Sequence, residues 1–309
     1  MSPTDRTPRD LLAAGLAVIL AFTTAAAAFP GEARAEGQAT RETARPASDQ
    51  ADRLTPGLAG REFLGDAGRI WSSPARIGDK DVLPLIGLVA AATFLIAADE
   101  PIRDGVKKFA DRHTWVGDVS SVVTQAGGLA GFATAGAFFG VGLVFKDTRA
   151  RDTGYLAASA MLQCFIVDAA AKSLSGRRRP FVADGADHWA GPAAFFKRFE
   201  KGQWDSYSSF PSGHSAAAFS LATVVALQYR HTGWVPVVAY TLAGGVGLSR
   251  MALDRHWASD VFVGAVVGHL VARLVVRNHE RYRRVAPMIA CTGRGFAISL
   301  TYDLDGTDR

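Results

Sequence analysis

Three polar clusters, each placed at the end of a predicted helix, contain residue types that helix packing alone does not need. They occupy residues 172–180, 211–214 and 249–260. Several donors that converge from separate segments can hold a phosphate dianion, and histidines can transfer protons beside it. The clusters therefore predict an anion-binding site with acid–base chemistry. Its candidate residues are the cations Lys172, Arg179 and Arg250, the histidines His214 and His256, and the carboxylate Asp260.

Two further residues support the anion-site prediction. Ser212 and Gly213 lie at the N-terminus of the fourth predicted helix. Free backbone N–H groups and the helix dipole favour an anion there, and a glycine lets the backbone come close to it. Arg177 and Arg178, by contrast, are expected to form a charge run that faces solvent or lipid head groups.

His256 and Asp260 have the spacing of a catalytic pair. They are four residues apart, so both side chains lie on one face if the last apolar helix begins near His256. The carboxylate can then hold one ring nitrogen, which leaves the other nitrogen to attack phosphorus. His231, His269 and His279 stand alone and are expected to be structural.

The clusters carry the pattern K-x6-R-P, P-S-G-H and S-R-x5-H-x3-D, in this order along the chain. The pattern resembles the superfamily of type 2 phosphatidic acid phosphatases, which also includes bacterial class A acid phosphatases and vanadium haloperoxidases. The resemblance covers roughly residues 80–280, and order and spacing together make it specific where one motif would be weak. All eleven defining positions are present: Lys172, Arg179, Pro180, Pro211, Ser212, Gly213, His214, Ser249, Arg250, His256 and Asp260.

The resemblance also implies roles for the site residues. By resemblance, His256 attacks phosphorus and forms a phosphohistidine, while His214 gives a proton to the departing oxygen and later acts as the base for water. Arg250 and the other donors stabilise the equatorial oxygens. The family's phosphatases are similar in needing no metal. A pocket that holds three cations repels a divalent ion, so we expect no metal and no other cofactor.

Six apolar segments must position these clusters. Each is about 15 to 27 residues long, and their small residues permit close helix contact in a bilayer. We therefore expect an all-α bundle of about six core helices that cross a membrane, although the buried helices of a soluble protein would look the same. A hydrophobic content of 49% excludes a disordered chain. The segments are Val82–Ala98, Val119–Phe145, Thr153–Ala171, Ser215–Tyr229, Trp234–Leu248 and Trp257–Val276.

The two ends of the chain differ from this helical domain, which we place at residues 60–285. Residues 1–35 have the basic start, apolar run and small-residue site of a secretory signal, with an uncleaved N-terminal anchor as the alternative. Residues 36–59 lack apolar periodicity and are expected to form a flexible linker. The tail at 286–309 alternates apolar and polar residues, which predicts a short C-terminal β-hairpin.

Charge predicts which helix ends share a side of the membrane. Lysines and arginines follow the second, fourth and sixth helices, which favours that side as cytoplasmic. The loops 99–118 and 172–214 and the 249–256 turn then lie outside, in the bacterial case in the periplasm. A cleaved signal conflicts with this arrangement, because it leaves residue 36 outside whereas six spans require residue 81 inside. Either the signal is an uncleaved span, the first helix does not cross, or the bundle is soluble.

Several functions remain open from the sequence. The leading interpretation is a bacterial inner-membrane phosphatase that acts on lipid phosphate monoesters or lipid pyrophosphates at a periplasm-facing site. A soluble periplasmic acid phosphatase is the alternative, and a vanadium-dependent haloperoxidase is a weaker one. A non-enzymatic lipid-binding bundle would leave both histidines unexplained. The expected partners are a lipid phosphate and the membrane, with no nucleic acid; the net charge of +5 suits acidic lipids. No pattern indicates the head group or the oligomeric state.

Overall fold

The computed structural model describes residues 56–182, 189–197, 203, 205–284, 287–292 and 295–300. The predicted signal or anchor at 1–35 and most of the predicted linker lie outside this part of the chain. Every predicted site residue lies within it.

The described chain is a helical bundle followed by one short hairpin, which confirms the all-α fold class. Strands β1 (Pro287–Thr292) and β2 (Gly295–Leu300) pair antiparallel, as the alternating tail predicted. The helices are α1 (Pro56–Trp71), α2 (Asp79–Arg112), α3 (Trp115–Val123), α4 (Leu129–Val144), α5 (Thr148–Ser175), α6 (Ala194–Lys197), α7 (Gly213–Gln228), α8 (Trp234–Ala252) and α9 (Ala258–Arg284).

The six predicted core segments all form helix, with one correction in the second. The segment Val119–Phe145 was expected to form one helix, but the chain forms α3, a 3₁₀ turn at Thr124–Gly127 and then α4. The two halves are bent by 50°. At the break, Gly128 has a φ of −119° and a ψ of −130°, outside the helical region, and a Cβ at Gly127 would lie 2.5 Å from the main-chain oxygen of His214. The helix therefore breaks where it meets the start of α7.

α1 is a helix whose polar face is turned toward the protein. It begins at Pro56, inside the predicted linker, and proline suits a first helical position because its missing N–H has no partner there. Glu62 and Asp66 are 4% and 2% exposed, whereas Leu64 and Trp71 are 71% and 54% exposed. This pattern is the reverse of that of a surface helix in water.

The inward face of α1 is bonded to α5 and α9. Tyr155 donates to the Glu62 carboxylate at 3.1 Å, and Asn278 donates to Asp66 at 2.7 Å. Burial raises the pKa of Asp66 to about 6. Since Tyr155 lies near the start of α5 and Asn278 near the end of α9, α1 lies at that end of the bundle.

α7 is the central helix, and α5, α8 and α9 pack around it. Alanines provide much of this packing: Ala157 and Ala160 of α5, Ala216 of α7 and Ala272 of α9 are each at most 1% exposed. Side chains this small let the helix axes come close together, as the composition of the apolar segments predicted.

Several helices are long and apolar enough to cross a membrane. In the described part of the chain these are α2, α5, α8 and α9, and the bent pair α3–α4 forms a fifth candidate span. None of the apolar stretch of α2 is buried inside the protein, and Leu83 and Phe94 are 78% and 71% exposed. Exposed side chains of this size need a hydrocarbon environment. The chain is therefore a membrane protein, and the soluble alternative is not supported.

The ends of the helices sort into two groups. At one end, Arg103 of α2 pairs with Asp254 in the turn between α8 and α9 at 2.7 Å. Asp205, from the segment between α5 and α7, reaches the same turn. At the other end, Arg283 of α9 pairs with Asp152 of α5 at 3.0 Å. The loops that carry the polar clusters thus share one end of the bundle, which we call the site end.

Candidate active site

The first cation lies where α5 ends. Lys172 is in the last turn, and its Nζ is 2.7 Å from Oδ2 of Asp168, one turn earlier. The helix stops because Gly176 adopts a left-handed conformation with φ of 53°, and its N–H donates to the carbonyl oxygen of Lys172. A side chain at Gly176 would also collide with the chain that follows α5. The turn directs the next arginines back toward the bundle.

Arg179 and Arg250 supply two further cations from different segments, and each is 8% exposed. Arg179 lies 2.8 Å from Oδ1 of Asp205 and donates to Oγ of Ser208 at 3.2 Å. Arg250 donates to Oγ1 of Thr124 at 2.9 Å. Burial lowers the pKa of Arg179 from its ordinary value, although Asp205 acts in the opposite direction. An arginine stays charged nevertheless, so both side chains attract an anion.

The three cations converge on the start of α7. His214 is in the first turn of this helix, and the charges of Arg250, Lys172 and Arg179 all act on its ring. Together with burial, which is the larger cause, they lower the pKa of His214 to about 3. The three cations, which come from the first and third motifs, are therefore close together in the fold.

Ser212 and Gly213 form the N-terminus of α7, as predicted. The Oγ of Ser212 caps the helix and accepts the N–H of Ser215 at 3.4 Å. A Cβ at Gly213 would lie 2.9 Å from Oδ2 of Asp168, so a larger residue here would displace this carboxylate. Asp168, which no motif contains, thus contacts both the lysine and the helix start.

Main-chain hydrogen bonds join the three motifs into one unit. The N–H of Ser209 donates to the carbonyl oxygen of Arg177 at 3.0 Å, which links the first motif to the segment that leads into the second. The N–H of Ser212 donates to the carbonyl oxygen of Asp260 at 3.0 Å, which links the second to the third. The separation between the phosphate-binding groups and the histidine pair is therefore set by the backbone.

His256 and Asp260 face each other, with Nδ1 and Oδ2 separated by 3.5 Å. This distance is long for a hydrogen bond, and a small shift of the ring would close it. The predicted placement on one helical face needs a correction, because α9 begins at Ala258 and His256 lies in the turn before it. Oδ2 of Asp260 also accepts the N–H of Trp257 at 2.9 Å. The carboxylate therefore holds the start of the helix and faces the ring.

His256 is held in its neutral form. Its side chain is buried, and burial lowers its pKa to about 3 even though Asp260 favours the protonated ring. The charges of Arg179 and Lys172 lower it further. A neutral imidazole whose Nδ1 faces a carboxylate has a lone pair on Nε2, which is what a nucleophile requires.

Arg177 is the main correction to the predicted site. The expected solvated charge run is wrong for this residue, which is 1% exposed. It donates to Oδ1 of Asp260 at 2.5 Å and to Oδ2 of Asp99 at 2.6 Å. Arg178 is half-buried and donates to the carbonyl oxygen of Val182. The turn at Gly176 directs Arg177 into the protein, where carboxylates from two distant segments pair with it. The run of arginines in the sequence does not indicate either carboxylate.

The break between α3 and α4 makes room for His214. A Cβ at Gly128 would lie 3.5 Å from its Nε2, and one at Gly127 would collide with its main chain. The apolar pattern predicts an uninterrupted helix in this region, and this prediction is wrong. Two adjacent glycines inside a long apolar segment are the signal that could have indicated the contact.

The histidines expected to be structural have contacts away from the site. Nδ1 of His279 is 3.0 Å from a carboxylate oxygen of α1. Nδ1 of His269 is 3.1 Å from the hydroxyl of Thr223 and 3.0 Å from that of Tyr240. His231 is exposed at the opposite end of the bundle.

Chemically, the arrangement combines an anion cradle with a nucleophile. Three cations and a helix N-terminus can hold the oxygens of a phosphoryl group, and a neutral histidine backed by a carboxylate can attack phosphorus. Across the described residues, no group of three His, Cys, Asp or Glu side chains is placed to hold a metal ion. A metal-free reaction stays a prediction.

Comparisons with known proteins point to the family that the motifs resemble. Residues 152–284 match the family model described as the PAP2 superfamily. The chain is 31% identical over 248 residues to the lipid A 1-phosphatase of Porphyromonas gingivalis, which covers 75% of this chain and 47% of that protein. It is 34% identical over 88 residues to phosphatidylglycerophosphatase B of Bacillus subtilis, covering 26% of this chain and 43% of that protein. The chain thus spans about half the length of these relatives.

Among solved structures, the crystal structure of Aquifex aeolicus LpxE is similar, with 18% identity, a TM-score of 0.44, and coverage of 58% of this chain and 94% of that one. The family assignment rests on the sequence instead. The matched segment 152–284 contains all three motifs, and each defining position is occupied. The chain therefore belongs to the PAP2 superfamily of type 2 phosphatidic acid phosphatases.

Proposed function

We propose that the protein is a membrane phosphatase that hydrolyses lipid phosphate monoesters or lipid pyrophosphates. The observation that carries the proposal is the buried His256–Asp260 pair beside three converging cations, at one end of a bundle of membrane-spanning helices. A site at the end of such a bundle can accept a phosphoryl group while the apolar part of the substrate stays in the bilayer. The two curated relatives described above are named for lipid phosphates, which supports the same substrate class.

In the first step, Nε2 of His256 attacks phosphorus. The bond between phosphorus and the leaving oxygen breaks as the N–P bond forms, which gives a phosphohistidine. His214 donates a proton to the leaving oxygen, and Asp260 stabilises the positive charge that develops on the His256 ring. The cations stabilise the equatorial oxygens in the transition state.

His214 becomes protonated when the substrate binds, and it later donates this proton to the leaving oxygen. The neighbouring cations help to keep its pKa low. A phosphate dianion offsets those charges, so the protonated ring becomes more favourable in the complex. In the second step, water attacks phosphorus, His214 takes a proton from that water, and the N–P bond breaks to release inorganic phosphate and restore neutral His256.

A substrate panel tests this function. Purified protein in detergent is given a lipid phosphate monoester, a lipid pyrophosphate and water-soluble p-nitrophenyl phosphate, and released phosphate is measured. We expect turnover of at least one lipid substrate, and its loss in His256→Ala. Turnover of the soluble ester alone would favour the acid-phosphatase alternative, and halide oxidation with added vanadate and peroxide would favour the haloperoxidase.

We also propose that the site end faces the periplasm. The positive-inside tendency supports this orientation, since basic residues follow α4 and α7 and lie in the last turns of α9, all at the opposite end. There, the Arg149 guanidinium lies 5.8 Å from the ring of Tyr229, which places the start of α5 beside the end of α7. α1 lies at this inner end too, so we propose that residues 1–35 are not a cleaved export signal. N-terminal sequencing of the purified protein tests that point.

Cysteine labelling tests the orientation. A background without cysteines, Cys164→Ala with Cys291→Ala, receives one cysteine at exposed Asp111 at the site end or at exposed His231 at the opposite end. Neither position is lysine or arginine, so the charge bias is kept. In intact spheroplasts we expect an impermeant maleimide to label Asp111→Cys and to leave His231→Cys unlabelled until the membrane is opened. The reverse pattern would place the site in the cytoplasm.

A further inference from the structure

A continuous chain of charged groups links α2 to the nucleophile pair. Arg177 donates through NH1 to Oδ1 of Asp260 at 2.5 Å and through NH2 to Oδ2 of Asp99 at 2.6 Å. The other oxygen of Asp260 faces His256. The order is therefore Asp99, Arg177, Asp260, His256, and it draws on α2, the turn after α5, α9 and the turn before α9.

Burial makes this chain electrostatically significant. The side chain of Arg177 is 1% exposed, and those of Asp99 and Asp260 are 3% and 0% exposed. Charges removed from water interact strongly with one another and with the groups beside them. With one guanidinium against two carboxylates, the group carries one net negative charge. That charge is available to stabilise the ring of His256 as positive charge develops on it.

Asp99 is the residue that preserves this negative charge. Without it, Arg177 would neutralise Asp260 alone, and the carboxylate would stabilise the imidazole less. Asp99 draws one side of the guanidinium toward α2, so that Asp260 shares the arginine instead of pairing with it exclusively. The division of the positive charge of Arg177 between Asp99 and Asp260 therefore determines how much negative charge Asp260 presents to the His256 ring.

The guanidinium is also fixed in orientation. It lies 4.6 Å from the ring centroid of Trp189 and 5.4 Å from that of Trp257. A planar guanidinium can lie flat against aromatic rings while it donates hydrogen bonds in two directions, a combination that a lysine ammonium cannot reproduce. Because Arg177 donates to Oδ1 of Asp260, it leaves Oδ2 for the hydroxyl of Ser209 at 2.5 Å and for the ring of His256.

Asp99 has a second contact with the helix that carries Asp260. Its Oδ1 accepts the N–H of Ser259 at 2.9 Å, and its Oδ2 accepts the Ser259 hydroxyl at 2.5 Å. Ser259 is in the first turn of α9, where backbone N–H groups lack partners within the helix. Asp99 therefore caps α9 from another helix, and a shift of α2 would move the first turn of α9 with it.

We propose that Asp99 and Arg177 are positioning residues for the reaction, acting through Asp260 on His256, and that α2 is thereby part of the catalytic apparatus and not only a membrane span. The proposal rests on the proposed phosphatase function. Asp99 lies outside the segment 152–284 that matches the family model and outside all three motifs. Neither residue touches the groups that hold the phosphate.

The test separates catalysis from phosphate binding. Asp99→Asn keeps the shape of the side chain and removes its charge. Since losing an orienting aspartate outright costs a catalytic triad about 10⁴ in rate, we expect a residue that acts through it to cost about ten- to a hundredfold in kcat. The Ki of inorganic phosphate should change less than about twofold, because Lys172, Arg179 and Arg250 are untouched.

Asp254→Asn is the matched control. Asp254 also pairs with an α2 group at the site end, Arg103, at 2.7 Å, but has no contact with the histidine pair. We expect this variant to keep kcat within about twofold of the original chain. If Asp99→Asn does not fold, Arg177→Lys takes its place, since it keeps the charge and loses the stacked, two-sided geometry; the same loss of kcat at constant Ki is expected.

Three results would overturn the proposal: a kcat for Asp99→Asn within twofold of the original, equal losses of kcat and phosphate affinity, or the same kcat loss in Asp254→Asn. The last two would indicate a purely structural role for the link between α2 and the site. Failure of the phosphatase function itself is distinguishable, because the unsubstituted chain would then release no more phosphate than His256→Ala.

Discussion

Removal of the Asp205 carboxylate should tighten the binding of phosphate. Its Oδ1 lies 2.8 Å from Arg179, one of the three phosphate-binding cations, and its Oδ2 lies 3.1 Å from Arg255. A phosphate that binds Arg179 must displace this carboxylate or share the arginine with it. Asp205 is therefore an intramolecular competitor of the substrate.

The exposure of Asp205 sets the size of the effect. Its side chain is 47% exposed, so its ion pairs are screened by water and contribute about 0.2–1 kcal/mol each. A loss of that competition corresponds to a gain in affinity of about 1.4- to fivefold, since about 1.4 kcal/mol is a factor of ten. We expect Asp205→Asn to lower the Ki of inorganic phosphate by about 1.4- to fivefold.

Product inhibition provides the assay. Inorganic phosphate is titrated against a fixed lipid substrate, and Ki is compared between the original chain and Asp205→Asn at low and high salt. The difference should shrink at high salt, because salt screens exposed charges. Glu280→Gln is the control, since it removes one exposed negative charge at the opposite end of the bundle.

A higher Ki in Asp205→Asn would refute the reasoning, because it would mean that the carboxylate holds Arg179 in its binding position. An equal decrease in Glu280→Gln would refute it differently, by tracing the gain to net charge alone. Arg179 also donates to Ser208 at 3.2 Å, so it keeps a partner in the variant.

Three further predictions concern the reaction. His214→Ala should slow the release of a lipid alcohol more than that of p-nitrophenolate, which leaves without a proton; equal losses of kcat on both substrates would contradict its role as general acid. Protonation inactivates the nucleophile, and the pKa of His256 is about 3. After correction for substrate ionisation, kcat/KM should therefore not fall near pH 6.5 as the pH is lowered. A fall there that persists when each of the other histidines is replaced would contradict the low pKa of His256. Vanadate should inhibit and EDTA should not, as phosphate release shows; inactivation by EDTA that magnesium reverses would indicate a metal.

The sequence predicted the site more completely than the bundle around it. Lys172, Arg179 and Arg250 could be selected because their types, spacing and positions at helix ends are local features of the chain. Each of these residues was placed at a helix end on the same side of the bundle, so the sequence also predicted that they lie close together. The same reasoning placed Ser212 and Gly213 at a helix start, where the structure also has them.

Long-range partners could not be predicted in this way. Asp99 and Ser259 are 160 positions apart, and nothing local to α2 indicates which turn of α9 it contacts. Arg177 looked like its neighbour Arg178 because a run of arginines carries no information about burial. The polar face of α1 was missed for a related reason, since Glu62 and Asp66 appear solvated until Tyr155 is placed beside them.

The geometry of the site depends finally on a contact between α7 and α9 that only glycine permits. A Cβ at Gly264 would lie 2.4 Å from the main-chain oxygen of Ser212, and one at Gly268 would lie 2.2 Å from that of Ala216. Gly264 is one turn after Asp260. The close contact of α9 with α7 at Gly264 therefore also fixes the position of the Asp260 carboxylate relative to the start of α7. Lipid offers no directional contacts that could hold two helices in register. This backbone contact and the Ser212 to Asp260 hydrogen bond beside it therefore help to set the separation between the anion-binding helix start and the histidine pair.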